Sequence, residues 1–242
     1  MFINYAHRGA SSYAPENTML SFYLGVHMQA NGIETDVQMT KDGVLVLFHD
    51  DTLLRVTGQP GSISDYTFAQ LRQFFVKTTG CEDKIVSLED FLQHFSFRPL
   101  RFAIELKQPH IEKQVIDLLN RYEMREKVVI TSFDFENLVR ARACDPGYEI
   151  GYLTSDVSEA VEHKLLDLGA EEICPEAKVL TPELVQAWHA KGLRVRAWGV
   201  KDEALMIHAH KCGCDGMTVN FPDKLQQYLG TIKAEKGSCD YQ

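Results

Sequence analysis

The stretch "FINYAHRGASSYAPENTMLSFYLGVHMQANGIETDV", residues 2–37, contains the repeating unit that decides the fold. A short apolar run at 2–6 leads into a polar loop, and an amphipathic segment follows Thr18 before a second apolar run at 32–37. A threonine in this position caps a helix, because its side chain accepts a hydrogen bond from a free N–H of the first turn. The order strand, helix, strand predicts two parallel strands joined by a crossover helix.

This alternation continues along the chain. Residues that favour helix starts precede four further amphipathic segments, namely Ser87, Asp134, Thr181 and Asp202. The candidate strands are 2–6, 32–37, 101–106, 127–132, 149–153, 171–174, 193–198 and 216–219. The chain has 242 residues, 45% of them hydrophobic and 24% charged, which fits one soluble domain. Eight strand–helix repeats predict an α/β fold, a (β/α)8 TIM barrel, with an open doubly wound parallel sheet as the alternative.

One stretch interrupts the alternation. The sequence "VQMTKDGVLVLFHD", residues 37–50, places a Lys-Asp-Gly turn at 41–43 between two alternating apolar runs. Such a turn predicts a β-hairpin rather than a helical crossover. We predict that the chain returns here toward the barrel mouth, and that residues 51–85, with a short helix at 68–74, form a small insertion above it. The whole chain, 1–242, is then a single domain.

Charge and composition exclude several classes of function. The formal net charge of −9 at pH 7 disfavours binding to nucleic acid phosphates. No segment approaches the roughly 18 apolar residues that a membrane-spanning helix requires, so we expect no stable membrane insertion. The N-terminus lacks the pattern of a secretory signal, which predicts a cytoplasmic protein. The six scattered cysteines are expected to be free thiols, and the sequence leaves the oligomeric state open.

Polar residues collect where the predicted strands end. The carboxyl ends of parallel barrel strands meet at one face, which is the usual place for catalytic residues. The residues at these ends are His7, Arg8, Glu34, Asp36, His49, Glu105, Lys107 and Trp198. We therefore expect these side chains to converge on one mouth.

The acidic residues of this set suit a metal site. Glu34 and Asp36 are two residues apart on one strand, so both side chains point to the same face. Adjacent carboxylates repel each other unless a cation lies between them, and Glu105 on the neighbouring strand could add a third oxygen ligand. An all-oxygen ligand set favours Mg²⁺, Ca²⁺ or Mn²⁺ over zinc. The alternative, equally compatible with the spacing, is that the carboxylates pair with arginine or lysine and bind no metal.

The basic residues suit a phosphate group. Arg8 and Lys107 would place fixed positive charge beside the carboxylates, either to bind phosphate or only to form two ion pairs. Ion pairs do not account for His7 and His49, each of which ends a strand at the same mouth. Imidazole can give or take a proton near neutral pH. Together the residues indicate metal-assisted chemistry on a phosphate ester.

Four motifs occur in a characteristic order: "AHRGASSYAPENT" at 6–18, "IETDVQMTKDGVLVLFHDDTL" at 33–53, "FAIELK" at 102–107 and "RVRAWGVKDEALM" at 194–206. As a set they are specific, and through them the chain closely resembles the glycerophosphodiester phosphodiesterase family over nearly its whole length. The resemblance implies a (β/α)8 barrel with a small insertion. It also implies hydrolysis of a small-molecule glycerophosphodiester to sn-glycerol 3-phosphate and an alcohol.

The resemblance further implies roles for individual residues. At matching motif positions, the divalent-metal ligands are Glu34, Asp36 and Glu105, the acid/base pair is His7 and His49, and the substrate-binding residues are Arg8, Lys107 and Trp198. Glu16 and Asn17 are expected to order the first loop. Where the family usually has Trp-Thr-Val-Asn, this chain has Trp-Gly-Val-Lys at 198–201. That difference affects the contacts beside the aromatic residue and not the metal site.

Two other functions share the predicted barrel. A phospholipase D-like or phosphoinositide-type lipid phosphodiesterase would favour an apolar rim on the insertion. The apolar residues available there are Phe68, Leu71, Phe74 and Phe75, and such a stripe more often packs inward. A catalytically silent phosphate-binding barrel would be favoured by loss of a metal ligand or of one histidine, and neither is lost.

Overall fold

The computed structural model describes residues 1–239, with side chains as far as residue 234. In chain order the elements are β1 (Ile3–His7), α1 (Met19–His27), β2 (Gly32–Met39), β3 (Leu45–Leu47), α2 (Leu54–Thr57), α3 (Phe68–Leu71), β4 (Phe75–Thr78), β5 (Cys81–Lys84), α4 (Leu88–Phe95), β6 (Arg101–Leu106), α5 (Glu112–Arg121), β7 (Val128–Ser132), α6 (Phe135–Cys144), β8 (Glu149–Thr154), α7 (Glu159–Leu168), β9 (Glu172–Pro175), α8 (Pro182–Ala190), β10 (Arg194–Val200), α9 (Glu203–Lys211), β11 (Gly216–Val219) and α10 (Pro222–Cys239). Short 3₁₀ turns lie at Ile63–Asp65 and Ala177–Val179.

Eight parallel strands form a closed barrel. Their order around it is β1, β2, β6, β7, β8, β9, β10 and β11, and the barrel closes because β1 pairs with both β2 and β11. The predicted (β/α)8 TIM barrel is confirmed, and the alternative of an open doubly wound sheet is wrong. Each of the eight predicted strands is present, with bounds that differ by two residues at most.

The predicted helix starts are also confirmed. The side chains that accept a hydrogen bond from a backbone N–H of the first helical turn include Thr18, Ser87, Asp134, Thr181 and Asp202. The helices cover the outside of the barrel with their apolar faces. Phe91 of α4, for example, packs edge-on against Phe22 of α1 and Phe102 of β6, with ring centroids 4.7 and 5.8 Å apart. This apolar layer removes large side chains from water and stabilises the barrel from outside.

The chain leaves the barrel between β2 and α4. The predicted hairpin is confirmed, since Met39 of β2 pairs antiparallel with Leu45 of β3. The following segment forms α2, α3 and a two-stranded sheet of β4 and β5 around its own apolar cluster. The helix expected at 68–74 ends at Leu71, and Phe75 belongs to β4 instead. The Leu71 side chain is fully buried, so this apolar face packs inward.

Two further expectations concern the chain as a whole. Five of the cysteines are free thiols, namely Cys81, Cys144, Cys174, Cys212 and Cys214, whereas the side chain of Cys239 lies outside the described residues. Within the described residues, no helix combines the length and the apolar character needed to cross a membrane.

The barrel interior contains a buried ion pair. Arg196 of β10 is 2% exposed, and its Nε donates to Glu172 Oε1 of β9 at 2.7 Å. Its Nη1 donates to Thr218 Oγ1 of β11 at 2.8 Å, and its guanidinium carbon lies 5.2 Å from the centre of the Tyr5 ring. A buried charge is tolerated only when it is paired and hydrogen-bonded. The interior of this barrel is therefore polar, unlike the apolar layer outside it.

Replacing Arg196 by Leu would remove the 2.7 Å partner of the buried Glu172 carboxylate and leave it only the more distant Arg194 Nε, at 3.9 Å. We expect Arg196→Leu to lower the free energy of unfolding by about 3 kcal/mol, because an unpaired buried charge is strongly destabilising. The double variant Arg196→Leu with Glu172→Leu removes both charges and should recover about half of that loss or more. Denaturant unfolding of the three proteins measures both effects, and a single variant as stable as the unmodified protein would contradict this role.

Candidate active site at the barrel mouth

The carboxyl ends of the barrel strands surround a cavity of about 280 Å³. The residues that line it are His7, Arg8, Glu34, His49, Glu105, Phe133, Leu153, Arg196, Trp198, Gly199, Val200, Lys201, Thr218 and Asn220. Six of the eight residues expected at the mouth are among them. The other two, Asp36 and Lys107, form ion pairs with cavity-lining residues at 3.1 and 2.8 Å. The structure thus brings together every residue that the sequence placed at this mouth.

Three carboxylates lie side by side inside the barrel. The strand register places Asp36 of β2 beside Glu105 of β6, and Glu34 of β2 beside His7 of β1. One carboxylate oxygen from each of the three acidic residues lies within 4.8 Å of the others, and none of these residues is more than 6% exposed. Strand alternation explains the arrangement, because residues two apart on a strand share one face.

The charges of these carboxylates are only partly compensated. Burial, together with the charges of Asp36 and Glu105, raises the pKa of Glu34 well above its usual range. Burial and the charge of Asp36 raise the pKa of Glu105 to about 7. Burial also acts to raise the pKa of Asp36, but Arg8, His49 and Lys107, together with the hydrogen bond from Asn17, outweigh it and lower this pKa. The group as a whole therefore lacks positive charge.

A divalent cation fits this group. Both ion pairs considered from the sequence are present, with Arg8 Nε 3.1 Å from Asp36 Oδ2 and Lys107 Nζ 2.8 Å from Glu105 Oε1. Asp36 Oδ1 is nevertheless buried, and no residue that the structure describes donates a hydrogen bond to it. Lys107 Nζ is 3.9 Å from that oxygen. Since oxygen donors suit Mg²⁺, Ca²⁺ and Mn²⁺, the three carboxylates could hold one such ion.

Arg8 is fixed by the loop that follows β1. Its φ angle is +54°, which is uncommon for a residue other than glycine. The Arg8 N–H donates to the Glu34 carbonyl at 2.9 Å, and the guanidinium contacts Asp36 and, at 2.9 Å, Glu16. Asn17 also has a positive φ, +55°, and its Nδ2 donates to Asp36 Oδ2 at 2.8 Å. Glu16 and Asn17 thus order the first loop, as expected, and tie it to the carboxylates.

The Nδ1 atom of each histidine lies at hydrogen-bonding distance from a neighbouring side-chain oxygen. His7 Nδ1 lies 2.5 Å from Asn220 Oδ1, and His49 Nδ1 lies 2.7 Å from Asp50 Oδ1. Because these oxygens accept hydrogen bonds, Nδ1 carries the proton in each neutral ring and Nε2 is left free to exchange one. Burial and the charge of Arg8 lower the pKa of His7 to about 4, so its ring is neutral at pH 7. The sequence analysis missed Asn220, whose only signal was its position after the last strand.

Asp50 is held in turn by Arg55 of α2, a residue that the sequence analysis also missed. Arg55 Nε donates to Asp50 Oδ2 at 2.5 Å, and Nη2 donates to Asp50 Oδ1 at 2.8 Å. The same guanidinium donates to Glu16 at 2.9 and 2.7 Å. The available signal was an arginine five residues after Asp50 at the start of the insertion. These contacts connect the insertion to the loop that carries Arg8.

Aromatic side chains form one wall of the cavity. The Trp198 and Phe133 rings meet edge to face with their centroids 4.9 Å apart. Trp198 Nε1 donates to the Thr154 carbonyl at 3.3 Å, which fixes the indole at the end of β10. Gly199 and Lys201, the two positions that differ from the usual family pattern, also line the cavity. Trp198 is therefore a cavity residue and not part of the barrel core.

A barrel mouth that combines adjacent carboxylates, fixed positive charge and two oriented imidazoles is typical of enzymes that hydrolyse phosphate esters. The glycerophosphoryl diester phosphodiesterase family matches residues 7–224. The chain belongs to this family of phosphoric diester hydrolases.

Known proteins resemble the chain over nearly its full length. A glycerophosphodiester phosphodiesterase of Bacillus altitudinis is 34% identical over 233 residues, which cover 91% of this chain and 95% of that protein. One from Caldanaerobacter subterraneus is 31% identical over 231 residues, covering 91% and 94%. The structure of an Oleispira antarctica phosphodiesterase in complex with the product sn-glycerol-3-phosphate matches with a TM-score of 0.83 and 26% identity, over 93% of this chain and 96% of that one.

Gly9 allows the Arg8 loop to lie against α1, and Gly43 provides a matched comparison. Both have a φ of +82°, but a Cβ at Gly9 would lie 2.4 Å from the backbone carbon of Ser21, whereas a Cβ at Gly43 would meet nothing within 4 Å. We expect Gly9→Ala to lower the free energy of unfolding by about 3 kcal/mol and Gly43→Ala by about 1 kcal/mol. Denaturant unfolding compares them, and equal losses would show that the contact with Ser21 is unimportant.

Proposed function

We propose that this protein hydrolyses glycerophosphodiesters to sn-glycerol 3-phosphate and an alcohol. The observation that carries the proposal is the convergence of three buried carboxylates, the Arg8 guanidinium and two oriented histidines on one cavity of about 280 Å³. Family membership supports the same chemistry, and the sn-glycerol-3-phosphate bound to the Oleispira antarctica phosphodiesterase supports the substrate class.

The carboxylates of Glu34, Asp36 and Glu105 would hold one divalent ion, Mg²⁺, Ca²⁺ or Mn²⁺. When bound, such an ion supplies Lewis-acid polarisation of a phosphoryl oxygen. Arg8 donates hydrogen bonds to the non-bridging phosphate oxygens and offsets the charge that develops on them. Lys107, which pairs with Glu105 at 2.8 Å, adds positive charge beside the phosphate. Trp198 contacts the glycerol part of the substrate.

His7 and His49 act as the acid/base pair. The Nε2 of one ring takes a proton from the nucleophile as its oxygen bonds to phosphorus, and the other ring protonates the alkoxide that leaves. The nucleophile is either water, or the neighbouring glycerol hydroxyl, in which case water opens the resulting cyclic phosphate in a second step. Asn220 and Asp50 occupy the Nδ1 atoms, so that proton exchange takes place at Nε2. Both rings keep a fixed orientation through the reaction for this reason.

We also propose that residues 1–242 form one domain, with residues 51–85 as a small insertion above the mouth. The separate apolar cluster of the insertion supports this division. The acidic net charge supports a small molecule, rather than a nucleic acid, as the partner.

Release of sn-glycerol 3-phosphate tests the proposed reaction. The enzyme, stripped with EDTA, is assayed with glycerophosphocholine and glycerophosphoethanolamine before and after addition of Mg²⁺, Ca²⁺ or Mn²⁺. We expect stripping to abolish turnover and at least one cation to restore it, because the carboxylates cannot bind a phosphate group without a positive ion between them. Absence of product with every cation, or faster hydrolysis of lysophosphatidylcholine micelles, would contradict the proposal.

The metal ligands can be tested without measuring activity. Glu34→Gln removes one anionic oxygen from the cluster, and we expect the dissociation constant for Mn²⁺ to rise by at least about tenfold. Glu176→Gln is the control, since Glu176 also follows a barrel strand but pairs with Lys178 at 2.9 Å. Isothermal titration calorimetry measures both variants. Equal affinities in the two variants would remove Glu34 from the metal site.

The catalytic role of the histidines can be tested separately from metal binding. We expect His7→Ala and His49→Ala each to lower kcat by at least about 100-fold, because each removes one proton-transfer group. Affinity for Mn²⁺ should change little in either variant. The control is His94→Ala on α4, where Nδ1 meets the Tyr23 hydroxyl away from the cavity. A variant that keeps the full rate would show that its histidine takes no part in the reaction.

A further inference from the structure

Arg55 joins two carboxylates that serve two different parts of the candidate site. Its guanidinium donates to Oδ1 and Oδ2 of Asp50 and to Oε1 and Oε2 of Glu16, at distances of 2.5 to 2.9 Å. Asp50 accepts from His49 Nδ1 at 2.7 Å, and Glu16 accepts from Arg8 Nη1 at 2.9 Å. One arginine of the insertion is thus connected through Asp50 to His49, a proposed acid/base group, and through Glu16 to Arg8, the proposed phosphate-binding group.

The backbone is held in place at both Arg55 and Asp50. Arg55 lies on α2, where the flanking Leu53 and Val56 are buried in the apolar cluster of the insertion. The backbone of Asp50 is held by Gln38 of β2, whose Nε2 donates to the Asp50 carbonyl at 2.9 Å. Two parallel N–H···O bonds to a carboxylate fix direction as well as distance. The Arg55 contacts therefore transmit the position of the insertion to the mouth.

We propose that Arg55 is a positioning residue, which orients His49 through Asp50 and Arg8 through Glu16 and so makes the insertion necessary for an ordered active site. This inference rests on the proposed function, because it assigns Arg55 to the same reaction. Arg55 is not among the residues that line the cavity, and its side chain is 50% exposed. It acts through the two carboxylates and not by contact with substrate.

The same contacts argue against a second metal ion. Glu16, His49 and Asp50 bring ligand atoms within 4.8 Å of one another, which is a spacing that could suit a cation. All four carboxylate oxygens of this group, however, already accept hydrogen bonds from Arg55. Hydrogen bonds from Arg55 come first among the causes that lower the pKa of Asp50 to about 2. The guanidinium thus supplies the positive charge that an ion would bring.

Steady-state kinetics of Arg55→Met, Arg55→Lys and Arg72→Met test the proposal. Arg72 is the matched control, because it also belongs to the insertion, is 48% exposed and pairs with a carboxylate, Asp90, at 3.7 Å. We expect Arg55→Met to lower kcat at least about tenfold, since His49 loses its fixed orientation. KM should change less than about threefold, because Arg8 keeps its direct contact with Asp36. The part of its orientation that depends on Glu16 acts mainly on the charge that develops in the transition state, and so on kcat. Arg55→Lys should recover part of the rate, and Arg72→Met should match the unmodified enzyme.

A double-mutant cycle shows whether Arg55 acts through Asp50. In an Asp50→Asn background, we expect Arg55→Met to have less than half of its effect on kcat, because the Asp50 carboxylate through which Arg55 orients His49 is already absent. An unreduced effect in that background, or an Arg55→Met rate equal to that of Arg72→Met, would overturn the proposal. So would two Mn²⁺ ions per chain in the unmodified enzyme, because among the described residues the second cluster of acidic and histidine ligands is the one that Arg55 occupies.

A measurement independent of turnover separates this inference from the proposed function. The proton on His49 Nδ1 is followed by NMR and assigned by its loss in His49→Ala. We expect its signal in the unmodified protein and in Arg72→Met, and its loss through exchange with water in Arg55→Met. A signal unchanged in Arg55→Met would overturn the positioning role. If the unmodified enzyme released no sn-glycerol 3-phosphate, the proposed function would fail, and this signal would still decide the role of Arg55.

Discussion

Three carboxylates buried beside one another form the constraint on which the rest of the site depends. Like charges repel strongly where water is excluded, so Glu34, Asp36 and Glu105 each require positive charge or a hydrogen-bond donor nearby. The loops that follow β1 and β6 supply Arg8 and Lys107 for this purpose. The negative charge that they leave uncompensated is what a divalent ion could balance. Burial of the acidic groups thus explains the basic residues of the mouth, and the charges proposed to bind phosphate are the same ones that stabilise the carboxylates.

Alternate residues of the barrel strands serve different purposes: those facing the helices stabilise the fold, and those facing the interior form the candidate site. On β2, Ile33 faces the helices while Glu34 faces the barrel interior, and on β6 Phe102 and Ala103 alternate in the same way. The apolar layer outside the barrel provides most of the hydrophobic stabilisation. That layer can sustain unfavourable features at the mouth, such as the positive φ angle of Arg8. The interior is consequently free to be polar.

Much of the structure could be predicted from local signals in the sequence. Contacts between residues far apart in the sequence could not be predicted. Strand alternation, capping side chains and position at strand ends gave the barrel and the residues of the mouth. Helix α5 gave no such signal, because the residue before it, Ile111, cannot cap a helix with its side chain. Ser158 before α7 is a capping residue type, but its side chain makes no capping bond. Strand Cys81–Lys84 is too polar to show an apolar alternation. Asn220 was missed because its partner His7 lies 213 residues away in sequence. Arg55 lies five residues after Asp50, but its second partner, Glu16, is 39 residues away, and only the fold brings the two carboxylates together.

The hydrogen bond between His7 and Asn220 joins the first barrel strand to the residue after the last one. Strands β1, β2 and β6 can assemble the acidic half of the mouth early in synthesis, since all of their residues precede residue 107. The ring of His7 gains its acceptor only when β11 docks beside β1 and closes the barrel. Pairing across so long a loop is slow compared with local contacts. With His7 as the proposed acid/base group, catalysis therefore requires closure of the barrel between β1 and β11, even in a chain whose β2 and β6 carboxylates are already paired side by side.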